Sequence, residues 1–320
     1  MNRLIIIIGL SLISNLVSAY TIEEYSQGLT PNSNPGGITV GPDNNLWVTE
    51  NNINKIARIK PNGVITEYPI ANASSSVGLS GIITGPDNNL WFIESNSNKI
   101  AKLTLTGELI EYAIPTANSG ALEITVGPDN NLWFTELNAN KIAVISVNGA
   151  ITEYAIPSID SQPYGITSDT SMNGKLWFTE SKAGKIASIT TSGNITEYAL
   201  PNSNSLPVTI TLGKDGAYWF TERNTNKIGR ITNLGKLTEY LLPRADSGLG
   251  GITSGPDDTI WFTEETANKI GEISAQGVIS EYAIPTLNSY PLRIVTGPDA
   301  NMWFTEFKTN KIAVLTQFNA

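Results

Sequence analysis

The chain has 320 residues, of which 15% are charged and 40% hydrophobic, a composition typical of a globular protein with one or two sizeable cores. It contains no cysteine and no histidine, which excludes disulfides, thiolate metal sites, Ser-His-Asp triads and histidine metal clusters. The net charge of −9 opposes binding to nucleic acid or anionic lipid.

The first predicted element is a signal peptide at residues 1–19. Arg3 precedes an apolar run that starts at Leu4 and ends in the small-x-small pattern of Val17–Ala19. A retained membrane anchor is a weaker alternative, because polar residues interrupt the run before it reaches roughly 20 apolar residues; a buried strand is a third. We expect export to the periplasm or the exterior, which would leave residues 20–320 with 19 basic and 29 acidic side chains and no membrane span.

The remainder of the chain consists of seven copies of one unit. All seven tryptophans recur at intervals of 42 or 44 residues, at Trp47, Trp91, Trp133, Trp177, Trp219, Trp261 and Trp303. Each stands in a phrase such as "GPDNNLWFTE", which leads to "KIA" or "KIG" and, in six copies, to "EY". A unit of about 42 residues without helical periodicity is the size of a propeller blade.

Each unit is predicted to form four antiparallel strands, which we call A to D in chain order. In the first unit these are Gly37–Val40, Leu46–Glu50, Lys55–Ile59 and Val64–Ile70, joined by turns rich in Pro, Asp, Asn and Gly. The fold class is therefore all-β, with residues 20–320 forming one seven-bladed β-propeller.

The last unit stops at "KIAVLTQFNA" and has no strand D of its own. The segment Thr21–Tyr25, "TIEEY", resembles the missing strand and lies ahead of the first complete unit. We expect it to complete blade seven, so that both ends of the chain close the ring and leave no open sheet edge.

Residues present in every copy are interpreted first as scaffold. The tryptophans are expected to pack between blades rather than to stack on a ligand. The Asp of each "GPD" is expected to form its turn rather than to bind calcium, because the acidic spacing of calcium loops is missing. The glutamates that end strand B are expected to pair with the lysine five residues later or to cap the loop, with a cation site as the alternative: Glu50, Glu94, Glu136, Glu180, Glu222, Glu264 and Glu306.

Residues that differ between copies indicate the functional face. The A–B and C–D turns share one face of the ring, and the variable B–C and D–A loops share the other, where we expect the site near the central channel. At the start of strand A most copies have glycine, whereas Glu123, Thr209 and Arg293 replace it in three. Because blades three and seven lie across the ring, Glu123 and Arg293 are predicted to face each other, either as solvated charges or as an orienting pair for a polar ligand.

Further candidates follow strand B or precede strand A on the same face. Arg223 and Glu265 are predicted to form an ion pair between blades five and six, and a metal or substrate contact through Glu264 and Glu265 is the alternative. Tyr164 and Tyr290 add aromatic surface, for packing or for ligand binding.

The phrases "GPDNNLWFTE", "NKIA" and "ITEYAIP" closely resemble the streptogramin B lyases, also called virginiamycin B lyases, over essentially the whole mature chain. The resemblance implies a seven-bladed propeller that opens a cyclic depsipeptide antibiotic by elimination at its ester linkage, assisted by magnesium. It also implies two catalytic histidines, two glutamates and a tyrosine, whose positions match Leu292, Gly250, Tyr290, Phe307 and Gly36.

None of these matched residues is the base or the cation holder that elimination needs. The first hypothesis is therefore a monomeric propeller that binds a ligand, such as a small molecule or peptide at the channel mouth, or a protein, and that has lost the family's lyase site. The second is a diverged lyase or hydrolase that uses Glu265 or Glu123 as base, Arg293 as oxyanion partner and magnesium near Glu264. The third is a structural or adhesive envelope protein, which predicts no small-molecule pocket at the channel mouth.

Overall fold

The computed structural model describes residues 7–13, 16–70, 77–169 and 174–318, and the side chains of 20–317 within them. The described residues form twenty-nine β-strands in seven sheets. No helix that could cross a membrane occurs in these ranges.

The strands alternate with short turns along the whole described chain. They are β1 (Ile7–Ile13), β2 (Leu16–Tyr25), β3 (Pro35–Val40), β4 (Leu46–Glu50), β5 (Lys55–Ile59), β6 (Ile65–Pro69), β7 (Leu79–Thr84), β8 (Leu90–Glu94), β9 (Lys99–Leu103), β10 (Leu109–Ala113), β11 (Ala121–Val126), β12 (Leu132–Glu136), β13 (Lys141–Ile145), β14 (Ile151–Ala155), β15 (Pro163–Ser168), β16 (Lys175–Glu180), β17 (Lys185–Thr190), β18 (Ile195–Ala199), β19 (Pro207–Leu212), β20 (Tyr218–Glu222), β21 (Lys227–Ile231), β22 (Leu237–Leu241), β23 (Leu249–Ser254), β24 (Ile260–Glu264), β25 (Lys269–Ile273), β26 (Ile279–Ala283), β27 (Pro291–Thr296), β28 (Met302–Glu306) and β29 (Lys311–Phe318).

These strands form the predicted seven blades. Blades one to six are the successive antiparallel meanders β3–β6, β7–β10, β11–β14, β15–β18, β19–β22 and β23–β26, and blade seven contains β27–β29. The strands of blade one begin and end within two residues of the predicted bounds. Strands A of neighbouring blades contact one another around the ring, so they form the wall of the central channel.

The two ends of the chain close the ring in blade seven, as predicted. Strand β2 pairs antiparallel with β29, and the register runs from Ala19 opposite Phe318 to Tyr25 opposite Ile312. Strand β1 then pairs with β2 as a fifth strand. Strand β1 lies within the predicted signal peptide, whose cleavage stays a prediction.

The core lies between blades and is organised by the tryptophans. Trp47 of blade one packs in one buried cluster with Leu79, Ile82 and Phe92 of blade two, and the same arrangement is repeated around the ring. A tyrosine side chain from strand D stacks on most of the tryptophans; for example, the ring of Tyr112 lies on that of Trp91 at a centroid distance of 5.6 Å. The predicted packing role of the tryptophans is confirmed.

Candidate functional site

The predicted face of the propeller contains two arginine–glutamate pairs. The first spans the channel: Arg293 Nε donates to Glu123 Oε1 at 2.9 Å, and Arg293 Nη2 contacts the same oxygen. The guanidinium also lies 5.7 Å from the ring centroid of Tyr164, within cation–π range. Glu123 and Arg293 therefore face each other as predicted, and of the two alternatives they form the ion pair, next to Tyr164.

The second pair links blades five and six. Arg223 Nη2 pairs with Glu265 Oε2, and Arg223 Nε donates to the backbone carbonyl of Leu249 at 2.9 Å. Glu265 is only 4% exposed, and this burial raises its pKa, an effect that the nearby charge of Arg223 and a hydrogen bond from Tyr290 partly offset. The predicted ion pair therefore forms around a largely buried carboxylate.

The Glu265 carboxylate lies against Gly250, in space that the side chain of any other residue at position 250 would occupy. A Cβ atom at position 250 would overlap Glu265 Oε1 and lie 2.9 Å from Thr263 Oγ1. Any larger residue at this position would therefore displace the carboxylate from its place beside Arg223.

Aromatic residues adjoin the second pair. The ring centroid of Tyr290 lies 6.4 Å from that of Phe307, and Lys308 Nζ lies 4.3 Å from the Tyr290 ring. Burial and the neighbouring Glu265 raise the pKa of the Tyr290 hydroxyl, so it stays protonated. Tyr290 thus combines a half-buried ring with a hydrogen-bond donor.

Thr209 lies in the channel, but its hydroxyl donates to the carbonyl of Gly250. It lines a cavity of about 140 Å³ together with Glu123, Gly165, Ile210 and Arg293. The hypothesis of a structural or adhesive protein predicted no small-molecule pocket at the channel mouth, and a cavity of this size within the channel wall does not test it.

The geometry does not favour the alternative of a metal site through Glu264 and Glu265. The Glu264 side chain is fully buried next to Glu281 of its own blade, whereas Glu265 pairs with Arg223 at the mouth. No cluster of three or more acidic side chains suited to a metal occurs among the described residues. Since both mouth carboxylates are engaged by arginines, the residues present do not fit a magnesium ion there.

The predicted pairing of the strand-B glutamates with the following lysines is wrong. The lysines pair with a glutamate of strand D instead: Lys55 with Glu67, Lys99 with Glu111, Lys141 with Glu153, Lys185 with Glu197, Lys227 with Glu239, Lys269 with Glu281 and Lys311 with Glu24. The strand-B carboxyls are fully buried. Burial, and then the charge of the strand-D glutamate, raise their pKa to about 7 or 8. Each faces the glutamate of its own blade, so they do not form a common cation site.

Comparison with known proteins identifies the scaffold. The family model described as "Virginiamycin B lyase family" matches residues 11–170 and 73–320. The chain belongs to the virginiamycin B lyase family. No curated protein sequence matches it significantly.

Solved structures agree with this assignment. A streptogramin B lyase superposes with a TM-score of 0.88 at 37% identity, covering 93% of this chain and 98% of that one. A selenomethionine-substituted virginiamycin B lyase from Staphylococcus aureus gives a TM-score of 0.86 at 38% identity, covering 93% and 99%. A catalytically inactive His-to-Ala variant of the S. aureus enzyme with quinupristin gives the same four values.

The positions that resemble the family's catalytic residues lie close together at this mouth. Gly250 adjoins Glu265, Leu292 precedes Arg293, and Tyr290 packs near Phe307. The sequence identified the charged residues of the site from their departure from the repeat. It did not identify Lys308, although this lysine stands where four copies have asparagine. The contact between Gly250 and Glu265 was also missed, because the spacing along the chain does not show which side chain lies across the loop.

Proposed function

We propose that this chain is a ligand-binding propeller that keeps the lyase scaffold and lacks the lyase's proton-transfer site. The observation that carries the proposal is that an arginine holds each mouth carboxylate, Glu123 by Arg293 and Glu265 by Arg223. A guanidinium favours the charged form of a carboxylate and so weakens it as a base. The chain has no histidine to take this role.

The ligand is a small molecule or peptide with polar groups and at least one ring. Arg293 and Arg223 offer guanidinium groups, and Tyr290 and Phe307 offer aromatic surface beside them. In the S. aureus protein, a catalytically inactive variant that lacks one histidine is found with quinupristin. That finding supports a scaffold that holds an antibiotic of this class without turning it over.

Export of a monomeric mature chain belongs to the same proposal. It rests on the charged, apolar and small-residue pattern of residues 1–19. The mass of the protein recovered after expression in a bacterial host measures whether the chain is cleaved near Ala19, and an uncleaved chain in the cytoplasm would contradict it.

A second candidate function is elimination with Glu265 as base. One observation favours it: Glu265 fills the space beside Gly250, which matches a family histidine position, and burial raises its pKa. Glu265 would take the proton next to the carbonyl, the electron pair would form the new double bond, and the ester oxygen would leave as a carboxylate. Arg293 would stabilise the developing negative charge.

One experiment separates the two functions. The purified mature protein is titrated with a streptogramin B by calorimetry, and the mixture is then followed by chromatography and mass spectrometry, with magnesium and with EDTA. Saturable binding of unaltered antibiotic is expected. A ring-opened product of unchanged mass would establish elimination and overturn the proposal, as would hydrolysis to a product heavier by one water.

Variants then assign the residues. Glu265→Gln and Glu123→Gln keep the side-chain shape and remove the charge, so each should weaken binding by roughly tenfold if the ion pairs orient the arginines. Should turnover be seen, its survival in both variants would exclude these carboxylates as the base. Absence of any binding at millimolar antibiotic would overturn this ligand class.

A further inference from the structure

A second cavity, of about 200 Å³, lies on the opposite face of the propeller between blades six and seven. We call it the rear cavity. Asp257 and Trp261 of blade six and Met302, Leu315 and Gln317 of blade seven line it. It lies beside the A–B turns, so it is separate from the mouth that carries the proposed function.

The indole N–H of Trp261 has lost the partner that its counterparts have. In five blades the tryptophan Nε1 donates to the aspartate of its turn at 2.9 to 3.2 Å: Trp47 to Asp43, Trp91 to Asp87, Trp133 to Asp129, Trp219 to Asp215 and Trp303 to Asp299. In blade six, Thr259 Oγ1 donates to Asp257 Oδ1 at 2.6 Å instead. Trp261 is 2% exposed, and its Nε1 has no hydrogen-bond partner in the part of the chain that the structure describes.

The position of Thr259 explains this loss. A Cβ atom at Gly255 would lie 2.9 Å from Thr259 Oγ1, whereas at the other "GPD" and "GKD" turns the corresponding neighbour is the aspartate Oδ1. The hydroxyl has therefore taken the place of the carboxylate oxygen beside the indole. A buried N–H without an acceptor costs about 1–3 kcal/mol, so the site favours a ligand that supplies one.

Blade six has also lost a cation. In three blades a basic side chain opposite the tryptophan lies over its ring and near the aspartate of the turn: Arg58 at 5.9 Å from Trp47, Lys102 at 5.2 Å from Trp91 and Arg230 at 5.6 Å from Trp219. Glu272 has this place in blade six, directly opposite Trp261. Valine has it in blades three and seven.

Glu272 makes the surroundings of the cavity more acidic. Its carboxylate accepts hydrogen bonds from Tyr282 Oη at 2.8 Å and from Gln317 Nε2 at 3.0 Å. Within the described residues, neither Asp257 nor Glu272 has a lysine or arginine as ion-pair partner. Asp257 and the Trp261 ring with its N–H thus line the cavity, Glu272 lies behind Gln317, and the cation that three other blades have opposite the tryptophan is missing.

We propose that the rear cavity binds a small organic cation that carries an oxygen acceptor, such as an amino alcohol. The ammonium group lies against the Trp261 ring with Asp257 as counter-ion, as Arg58 lies between Trp47 and Asp43. The oxygen accepts from Trp261 Nε1. The cavity has the liquid volume of about seven waters, which suits a ligand with that many non-hydrogen atoms.

Choline is the probe, and the indole N–H signals of the ¹⁵N-labelled mature protein are the readout. One of the seven signals, that of Trp261, should shift in a saturable way. The uncharged isostere 3,3-dimethylbutan-1-ol should bind roughly tenfold more weakly or worse, since it lacks the cation–π and ionic attraction. A concentration of about 20 mM choline is enough to saturate even a weak site with a millimolar dissociation constant. Equal binding of both compounds, or no shifted indole signal at that concentration, would overturn the proposal.

Matched variants test the site itself. Glu272→Arg places a tethered cation over Trp261 and should abolish the choline shift. Val144→Arg makes the equivalent change beside Trp133 in blade three and should leave it intact. If Glu272→Arg does not fold, Asp257→Asn should reduce binding at least about fivefold through loss of the counter-ion. A choline shift that persists in the folded variants would contradict the assignment.

Discussion

Replacement of one buried carboxyl, Glu136→Gln, should make the propeller more stable at alkaline pH. Glu136 is fully buried beside Glu153, and no other described residue forms a hydrogen bond with its carboxyl oxygens. Burial, followed by the charge of Glu153, raises its pKa to about 8. Burial alone would also raise the pKa of Glu153, but hydrogen bonds from Lys141 and Thr116 lower it below its usual value. Below about pH 8, blade three therefore holds one neutral carboxyl, Glu136, and one charged carboxylate, Glu153.

The sign follows from proton binding. Below pH 4.5 the Glu136 carboxyl is protonated in both the folded and the unfolded chain, and its contribution to the free energy of unfolding is fully present. As the pH rises from 4.5 to about 8 the unfolded chain releases the proton and the folded chain retains it, so stability falls and then levels off. At about 1.4 kcal/mol per pKa unit, this gives an upper limit near 5 kcal/mol, and relaxation of the site reduces the expected loss to about 1–3 kcal/mol.

Glutamine reproduces the neutral acid at every pH. We expect Glu136→Gln to be within about 1 kcal/mol of the unmodified chain at pH 5 and more stable by about 1–3 kcal/mol at pH 8.5. Urea unfolding at the two pH values, followed by tryptophan fluorescence, measures this difference. The exposed Glu108→Gln variant is the control. Equal effects of Glu136→Gln at both pH values, or an unmodified chain that gains stability between pH 5 and 8.5, would refute the reasoning.

Two further predictions concern ring closure and the channel. Gly63→Ala should destabilise the folded protein by about 2–4 kcal/mol more than Gly107→Ala. Both glycines have positive φ, 81° and 91°. Of the two, only position 63 has a neighbour that a Cβ atom would overlap, the ring of Tyr25 in the closing strand β2. Thermal unfolding of both variants tests this, and equal losses would show that β2 does not pack on blade one as described. Glu123→Gln and Arg293→Met should each destabilise, while the double variant should be less destabilised than their sum by about 1–3 kcal/mol; additive effects in urea unfolding would mean that the ion pair contributes nothing.

The scaffold could be predicted closely because each copy of the repeat provides independent evidence for the same strands. The turn residues of "GPDNN" and "NG" set the strand ends, and the incomplete last copy predicts that Thr21–Tyr25 closes the ring. That Glu123 and Arg293 face each other followed from the blade count and from their shared position in strand A, since blades three and seven lie across the channel; that they form an ion pair is seen only in the structure.

The glutamate–lysine partners could not be predicted from spacing. Glu50 and Lys55 are directly opposite in the paired strands, which suggests a salt bridge. Lys55 instead reaches the diagonal neighbour Glu67 at 2.6 Å, because Thr30 of the preceding loop already holds that carboxylate. Burial then makes a second negative charge on Glu50 costly. Which glutamate the lysine pairs with depends on which carboxylate receives hydrogen bonds from the preceding loop. The sequence of one strand does not contain that information.

Blade six shows how a repeat protein reveals its sites through paired departures from its own consensus. Thr259 removes the acceptor from Trp261, and Glu272 removes the cation, while Gly250 and Glu265 alter the other end of the same blade. A single departure is compatible with drift, because neighbouring blades tolerate valine opposite tryptophan. Two departures at one cavity, which leave the buried Trp261 N–H without an acceptor among the described residues and put Glu272 where three other blades have a cation, are destabilising unless a ligand compensates. If the two faces bind separate ligands, as proposed, variants that abolish binding at the mouth should leave the choline shift of Trp261 unchanged.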